Sequence, residues 1–150
     1  MALDPQAQAV IALAIKAGRP PYHTLSPKDA RALFLETRPF STPAPPAIGT
    51  VRNLAAEGPF GEIPLRLYRP AGVPDTKPLP VYVYFHGGGW VIGDLESHDV
   101  LCRQLTAESG ACVIAVDYRL APEHKFPAAA DDAWAATRWI VAHAAGLGVD

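Results

Sequence analysis

His86-Gly87-Gly88-Gly89-Trp90 follows directly on the apolar run Val81-Tyr82-Val83-Tyr84-Phe85. Three successive glycines remove every Cβ from the stretch, so its backbone can take unusual dihedrals and approach a ligand closely. N–H groups that leave a sheet at such a place are suited to binding negative charge as it develops on an oxygen. That is the chemistry of an oxyanion hole in acyl transfer. A plain flexible turn is the alternative at this level. Trp90 is placed to line a substrate pocket or to serve as packing.

The other chemically capable side chains give weaker signals. Asp117, Arg119 and Glu123 lie at and beyond the end of a second apolar run, residues 112–116. That is the usual ligand side of an open α/β sheet. An ion-pair network bracing the loop beneath the site is expected of them, rather than catalysis. Asp131 and Asp132 fall in the first turn of the last helix, where interaction with the helix dipole accounts for them. The five histidines show no metal-ligand spacing, and His98 and His124 read as surface or loop residues. The four serines are Ser26, Ser41, Ser97 and Ser109, and none sits in a Gly-x-Ser-x-Gly elbow.

The elements that position these residues can be read from the pattern. Residues 81–85 and 112–116 are short apolar runs of strand type. Between them a helix opens at Ser97-His98-Asp99 and ends at Gly110, with Val100, Leu101 and Leu105 as its apolar face. Strand, helix and strand make a βαβ unit. Upstream, residues 50–55 and 63–68 flank the turn residues 57–61, as in an antiparallel hairpin. A proline-broken loop covers 70–80. Downstream, an Ala-rich helix spans 128–145 and Gly146 closes it. Fourteen of the 16 prolines lie in the first 80 residues. The N-terminal part is accordingly turn-rich, with short helices at 5–17 (Asp4 cap, Pro5 first) and 27–37 (Ser26 cap, Pro27 first). Pro39 is expected to stop the second helix, and 39–46 to run on as an extended linker. Two units follow: 1–46 as helices and linker, and 47–150.

Composition narrows the class. The chain has 150 residues, 49% hydrophobic and 19% charged, with a net charge of −2. This is a soluble globular composition with no basic patch for nucleic acid. No run reaches the length of a membrane span, and the start lacks the basic and apolar regions of a signal peptide. Cys102 and Cys112 form no disulfide framework, so a cytoplasmic setting is expected.

Two stretches resemble the hormone-sensitive-lipase-like esterases of the α/β-hydrolase superfamily. One runs from His86 through the glycines to Gly93-Asp94. The other is Asp117-Tyr118-Arg119-Leu120-Ala121-Pro122-Glu123-His124, continuing to Phe126-Pro127-Ala128. The resemblance implies an α/β fold with a mixed, mostly parallel sheet flanked by helices. It makes residues 1–46 part of a helical cap over the pocket and 47–150 the first part of the hydrolase domain. It implies hydrolysis of short-chain carboxylic esters by a serine nucleophile, with an acid and a histidine following in that order. All three would lie beyond residue 150, so the fold would be incomplete here and completed by its C-terminal part. The N–H groups of Gly88 and Gly89 would form the oxyanion hole. Gly87 and His86 would support the loop, His86 being too early in the chain for the triad base. No cofactor or metal is implied. A non-catalytic small-molecule binder of the same fold, or an inactive truncated fragment, is the alternative.

Overall fold

The structure, a computed structural model, describes residues 3–74 and 76–150. Residues 1 and 2 of the expected cap and residue 75 of the expected 70–80 loop lie outside that set.

Two helices open the chain. α1 (Pro5–Lys16) starts where expected: the Asp4 side chain accepts from the Gln6 N–H at 2.8 Å, and Pro5 takes the first position. No residue of α1 is buried, and Val10, Leu13 and Ile15 stand in solvent. α2 (Pro27–Ser41) is capped by Ser26, whose Oγ accepts from Asp29 N at 3.1 Å. α2 runs past Pro39, where the sequence led us to expect a stop. A proline's fixed φ is helical, and this close to the end of the helix it removes only one backbone bond. The extended segment therefore begins at Thr42, not at Pro39.

Four strands form one mixed sheet in the order β1-β2-β4-β3. β1 (Thr50–Gly58) and β2 (Gly61–Arg69) are the expected hairpin, longer at both ends and closed by the two residues Pro59 and Phe60. β2 pairs antiparallel with β4 (Cys112–Val116), and β3 (Val81–Phe85) pairs parallel with β4. Parallel pairing, expected to predominate, is confined among the described residues to β3 with β4 and to a bridge between Leu79 and Val149. The hairpin supplies the two antiparallel pairs.

Both faces of β4 are covered, which is why its sequence is apolar throughout. Ile114 and Val116 pack with Leu65, Leu67, Ala136 and Ile140 on one face, while Val113 and Ala115 meet Tyr68 and Cys102 on the other. Each of the buried Val, Leu and Ile side chains contributes about 1.5–3 kcal/mol on burial. α3 (Asp99–Ser109) covers the second face and ends at Gly110, whose φ of 70° is left-handed. Its buried residues are Cys102 and Thr106, whereas Leu101 and Leu105 of the expected apolar face are exposed. Cys102 and Thr106, four residues apart, form the stripe that faces the sheet, and Leu101 and Leu105 stand one position round the helix from it. Ser97 lies just outside the helix, trading hydrogen bonds with Asp94 (Asp94 N to Ser97 Oγ 2.8 Å, Ser97 N to Asp94 Oδ1 2.6 Å).

α4 (Ala128–Ala142) packs against β1 from the first face. It ends at His143 instead of continuing to residue 145, because His143 leaves helical dihedrals (φ −108°, ψ 10°). The His143 ring stacks on Trp139 at 4.3 Å and bonds the Trp139 carbonyl oxygen at 2.8 Å. A last turn, α5 (Ala144–Leu147), follows, and the closing glycine is Gly148 (φ 69°), not Gly146. The Leu79 N–H then donates to Gly148 O and the Asp150 N–H to Leu79 O, which places Val149 beside the approach to β3. No helix among the described residues is long and apolar enough to cross a membrane.

Candidate active site

The chain leaves β3 at Phe85 and turns at once. Gly88, Gly89 and Trp90 all have positive φ (130°, 61° and 61°). The Gly88 carbonyl accepts from the N–H groups of both Val91 and Ile92 at 3.1 Å, closing the turn. A Cβ on Gly88 would stand 1.9 Å from the Ile92 carbonyl oxygen, so no other residue fits there without moving the turn. Gly89 has open space around it. Among the described residues, the N–H groups of Gly88, Gly89 and Trp90 meet no acceptor. Gly89 and Trp90 are exposed and Gly88 half-buried, so three consecutive donors without a protein partner stand at the surface.

His86 braces this turn from below. It is buried, stacked on Tyr118 at 4.4 Å and on His98 at 5.3 Å. Its Nδ1 lies 2.8 Å from the Gly87 carbonyl oxygen, a contact that requires the proton on Nδ1. The Tyr118 hydroxyl donates to the His86 carbonyl oxygen. Gly93, at the far end of the loop, faces the same ring: a Cβ there would come within 2.4 Å of His86 Nδ1. Burial, then the neighbouring His86, push the His98 imidazole below its ordinary pKa, which favours the uncharged ring. His98 lies in the turn before α3, as the expected loop residue, and is half-buried there as a stacking partner.

A cavity of about 350 Å³ opens over the loop, lined by Phe85, His86, the three glycines, Trp90, Tyr118 and the α4 residues Ala129, Ala130 and Ala133. Trp90, 67% exposed, separates it from a second, apolar cavity of about 440 Å³ bounded by Ala121, His124, Phe126 and Pro127. The residues singled out at the β3 end are therefore brought together. Those at the β4 end are not joined to one another. Asp117 is half-buried and makes no ion pair among the described residues; burial raises its carboxyl above the usual range. Arg119 pairs with Asp132, donating from Nε to Oδ2 and from Nη2 to Oδ1, both at 2.8 Å. Its backbone N–H reaches the same Oδ2 at 3.0 Å. Asp132 is buried, so the dipole reading given it from sequence is replaced by that of a carboxylate locked in an ion pair.

Glu123 pairs instead with Arg31 of α2, which donates from Nη1 and Nη2 to its two carboxylate oxygens, each at 2.8 Å. Those bonds hold the Glu123 carboxyl down to about 2. Arg31 also donates from Nε to Val91 O at 2.8 Å and from Nη2 to Ala121 O at 2.9 Å. The sequence held no signal for Arg31. Gly93, Tyr118 and Asp132 lay within or beside the quoted motifs but had no assigned partners. Among the described residues no three His, Cys, Asp or Glu side chains are grouped to hold a metal ion.

Comparison with known proteins gives relatives of one kind. Residues 82–150 match the family described as alpha/beta hydrolase fold. The chain is 54% identical over 100 residues to Esterase LipI of Mycobacterium tuberculosis, an alignment covering 67% of this chain and 31% of that protein. It is 39% identical to Ethyl acetate hydrolase of Pseudomonas putida over all of this chain and 49% of that one. Among solved structures, the ester-hydrolase EH1AB1 from the metagenome of Lake Arreo superposes with a TM-score of 0.91 at 40% identity, over 99% of this chain and 48% of that one. The chain thus spans half or less of the length of these relatives. By these matches the chain belongs to the hormone-sensitive-lipase-like esterases of the α/β-hydrolase superfamily.

Proposed function

We propose that the protein of which these residues are part hydrolyses short-chain carboxylic esters, with Gly88 and Gly89 supplying backbone N–H groups to the oxyanion. The observation that carries this reading is the run of unpaired N–H groups on a turn that lines the cavity of about 350 Å³. A serine outside residues 1–150 attacks the ester carbonyl, a histidine takes its proton, and an acid orients that histidine. Charge moves onto the carbonyl oxygen, which the glycine donors meet at roughly 2.7–3.1 Å. Collapse expels the alcohol, and water then releases the acid from the acyl-enzyme. Gly87 and His86 hold the loop, and Trp90 bounds the substrate pocket. Asp117, Arg119 and Glu123 act as structural support through their own separate partners.

The named esterase and ethyl acetate hydrolase relatives support the reaction class, and ethyl acetate points to small acyl groups. Another solved relative, the esterase rPPE, was crystallised as a serine-to-alanine mutant, in keeping with a serine nucleophile. Residues 1–46 serve as a cap over the site and 47–150 as the first part of the catalytic domain. The remaining part of the fold adds its next strand beside β3, where Val149 already makes the first rung. Two buried free thiols, Cys102 and Cys112, fit a reducing cytoplasm.

Two glycine variants test the assignment with p-nitrophenyl acetate on the full-length protein. Gly88→Ala forces a Cβ onto the Ile92 carbonyl and should lower kcat by about 100-fold, the scale of a lost oxyanion donor. Gly89→Ala meets open space and should lose about tenfold or less, from its left-handed φ alone. Equal small losses at both positions would remove the oxyanion assignment.

A further inference from the structure

We propose that Arg31 is a positioning residue of the oxyanion turn: a side chain of the N-terminal helix α2 that fixes the conformation in which the Gly88 and Gly89 N–H groups point at substrate. The proposal rests on the ester-hydrolase reading for its kinetic consequence, though not for its structural one.

The turn needs an external restraint. Trp90 has a φ of 61°, a region that residues with a Cβ disfavour and keep only where surrounding contacts over-determine it. Within the loop, the bonds from Val91 N and Ile92 N to Gly88 O close the turn but leave its outer strand free. The restraint comes from the segment beyond β4. Ala121 N donates to Trp90 O at 2.8 Å, tying the strained residue to the 121–123 loop.

Arg31 grips both partners of that tie. Its Nε takes the next carbonyl on one side, Val91 O at 2.8 Å, and its Nη2 takes the carbonyl of Ala121 itself at 2.9 Å. Glu123 anchors the guanidinium through both of its outer nitrogens at 2.8 Å. One planar group thereby joins its own helix to two segments that lie 60 and 90 to 92 residues further along the chain. A guanidinium presents its donors in a rigid fork, and lysine's single ammonium cannot reproduce four bonds in that plane. The Glu123 pair alone is partly exposed and weak as a stabiliser. What distinguishes Arg31 is its hold on two loop carbonyls.

The test uses the full-length protein with Arg31→Met, Arg31→Lys and, as a control on the same helix, Glu36→Gln, whose carboxylate faces Arg19 at 3.9 Å. Hydrogen exchange is read on Val91 and Ile92, whose N–H groups close the turn onto Gly88 O, and on β4, with p-nitrophenyl acetate kinetics alongside. Arg31→Met should speed exchange of Val91 and Ile92 by about tenfold with β4 unchanged, a local opening. It should lower kcat by about tenfold with KM within about twofold, because the donors act only in the transition state. Arg31→Lys should behave like Arg31→Met, and Glu36→Gln like the unsubstituted protein. Unchanged exchange at Val91 and Ile92 in Arg31→Met overturns the proposal. So does exchange that rises equally in β4, which would make the effect global instability, and so does full function in Arg31→Lys. If the unsubstituted protein hydrolyses no ester, the ester-hydrolase reading fails, and the exchange data alone then decide the role of Arg31.

Discussion

Two arginine–carboxylate pairs stand on either side of the loop after β4. Arg119 with Asp132 and Arg31 with Glu123 share a fork-to-carboxylate geometry and 2.8 Å distances. They differ in surroundings. The Asp132 side chain is 3% exposed and lies under the loop, on the first turns of α4. The Glu123 side chain is 54% exposed and meets a helix that otherwise buries little besides Ala30. Identical bonding therefore does different work. Inside, the pair binds the loop to the core, and losing one member strands a charge. Outside, water competes for both members, and the pair matters for where it holds the turn more than for how strongly.

The largest effect should separate the pairs by stability. Arg119→Met leaves the Asp132 carboxylate buried without a counter-charge and should lower unfolding stability by about 3 kcal/mol or more. Asp132→Asn should lower it less, by about 1–2 kcal/mol, because Arg119, 25% exposed, can turn toward water. Thermal or urea unfolding of the full-length variants measures both. If Asp132→Asn proved the worse, the stranded-charge account would fail.

A smaller effect sharpens the contrast. Double-mutant cycles should give a clear coupling between Arg119 and Asp132 and a much weaker one between Arg31 and Glu123. Adding about 0.5 M salt should shrink only the second, since buried pairs are screened less. Equal couplings with equal salt dependence would erase the distinction.

The smallest effect is in acid. The Arg31 bonds hold the folded Glu123 carboxyl at about 2, below its ordinary 4.5. A depressed folded value means that the contribution is complete above about 4.5 and declines as pH falls toward and through about 2. Protection of α2 and of Val91 and Ile92, taken against the intrinsic exchange rate at each pH, should accordingly fall between pH 4.5 and pH 2.5, and not between pH 5 and pH 8. A fall in protection confined to the neutral range would exclude Glu123 as its origin.

The legible parts of the fold were those written in local patterns. Residues 81–85 and 112–116 announced strands, the turn residues 57–61 announced a hairpin, and Asp4 and Ser26 announced helix caps. Legibility failed where a neighbour outweighed the pattern. Leu101 and Leu105 looked like the packing face of α3, yet the stripe that faces the sheet is Cys102 and Thr106. Pro39 looked like a stop, yet its locked φ suited the last turns of α2. β3 and β4 look alike in sequence, yet β4 is buried throughout while Tyr82 of β3 is 56% exposed, because burial depends on what pairs with each edge.

What the sequence by itself determined is the chemistry at the end of β3. Three glycines after an apolar strand leave a backbone without Cβ atoms, and that property is local to those residues. The clash awaiting a Cβ at Gly88, the Nδ1 contact of His86 and the pairing of Arg119 with Asp132 were decided only by tertiary structure. So was the reach of Arg31 across the molecule. Each depends on a distance between segments far apart in the chain, and residue types alone carry no record of which distant group will arrive within hydrogen-bond range.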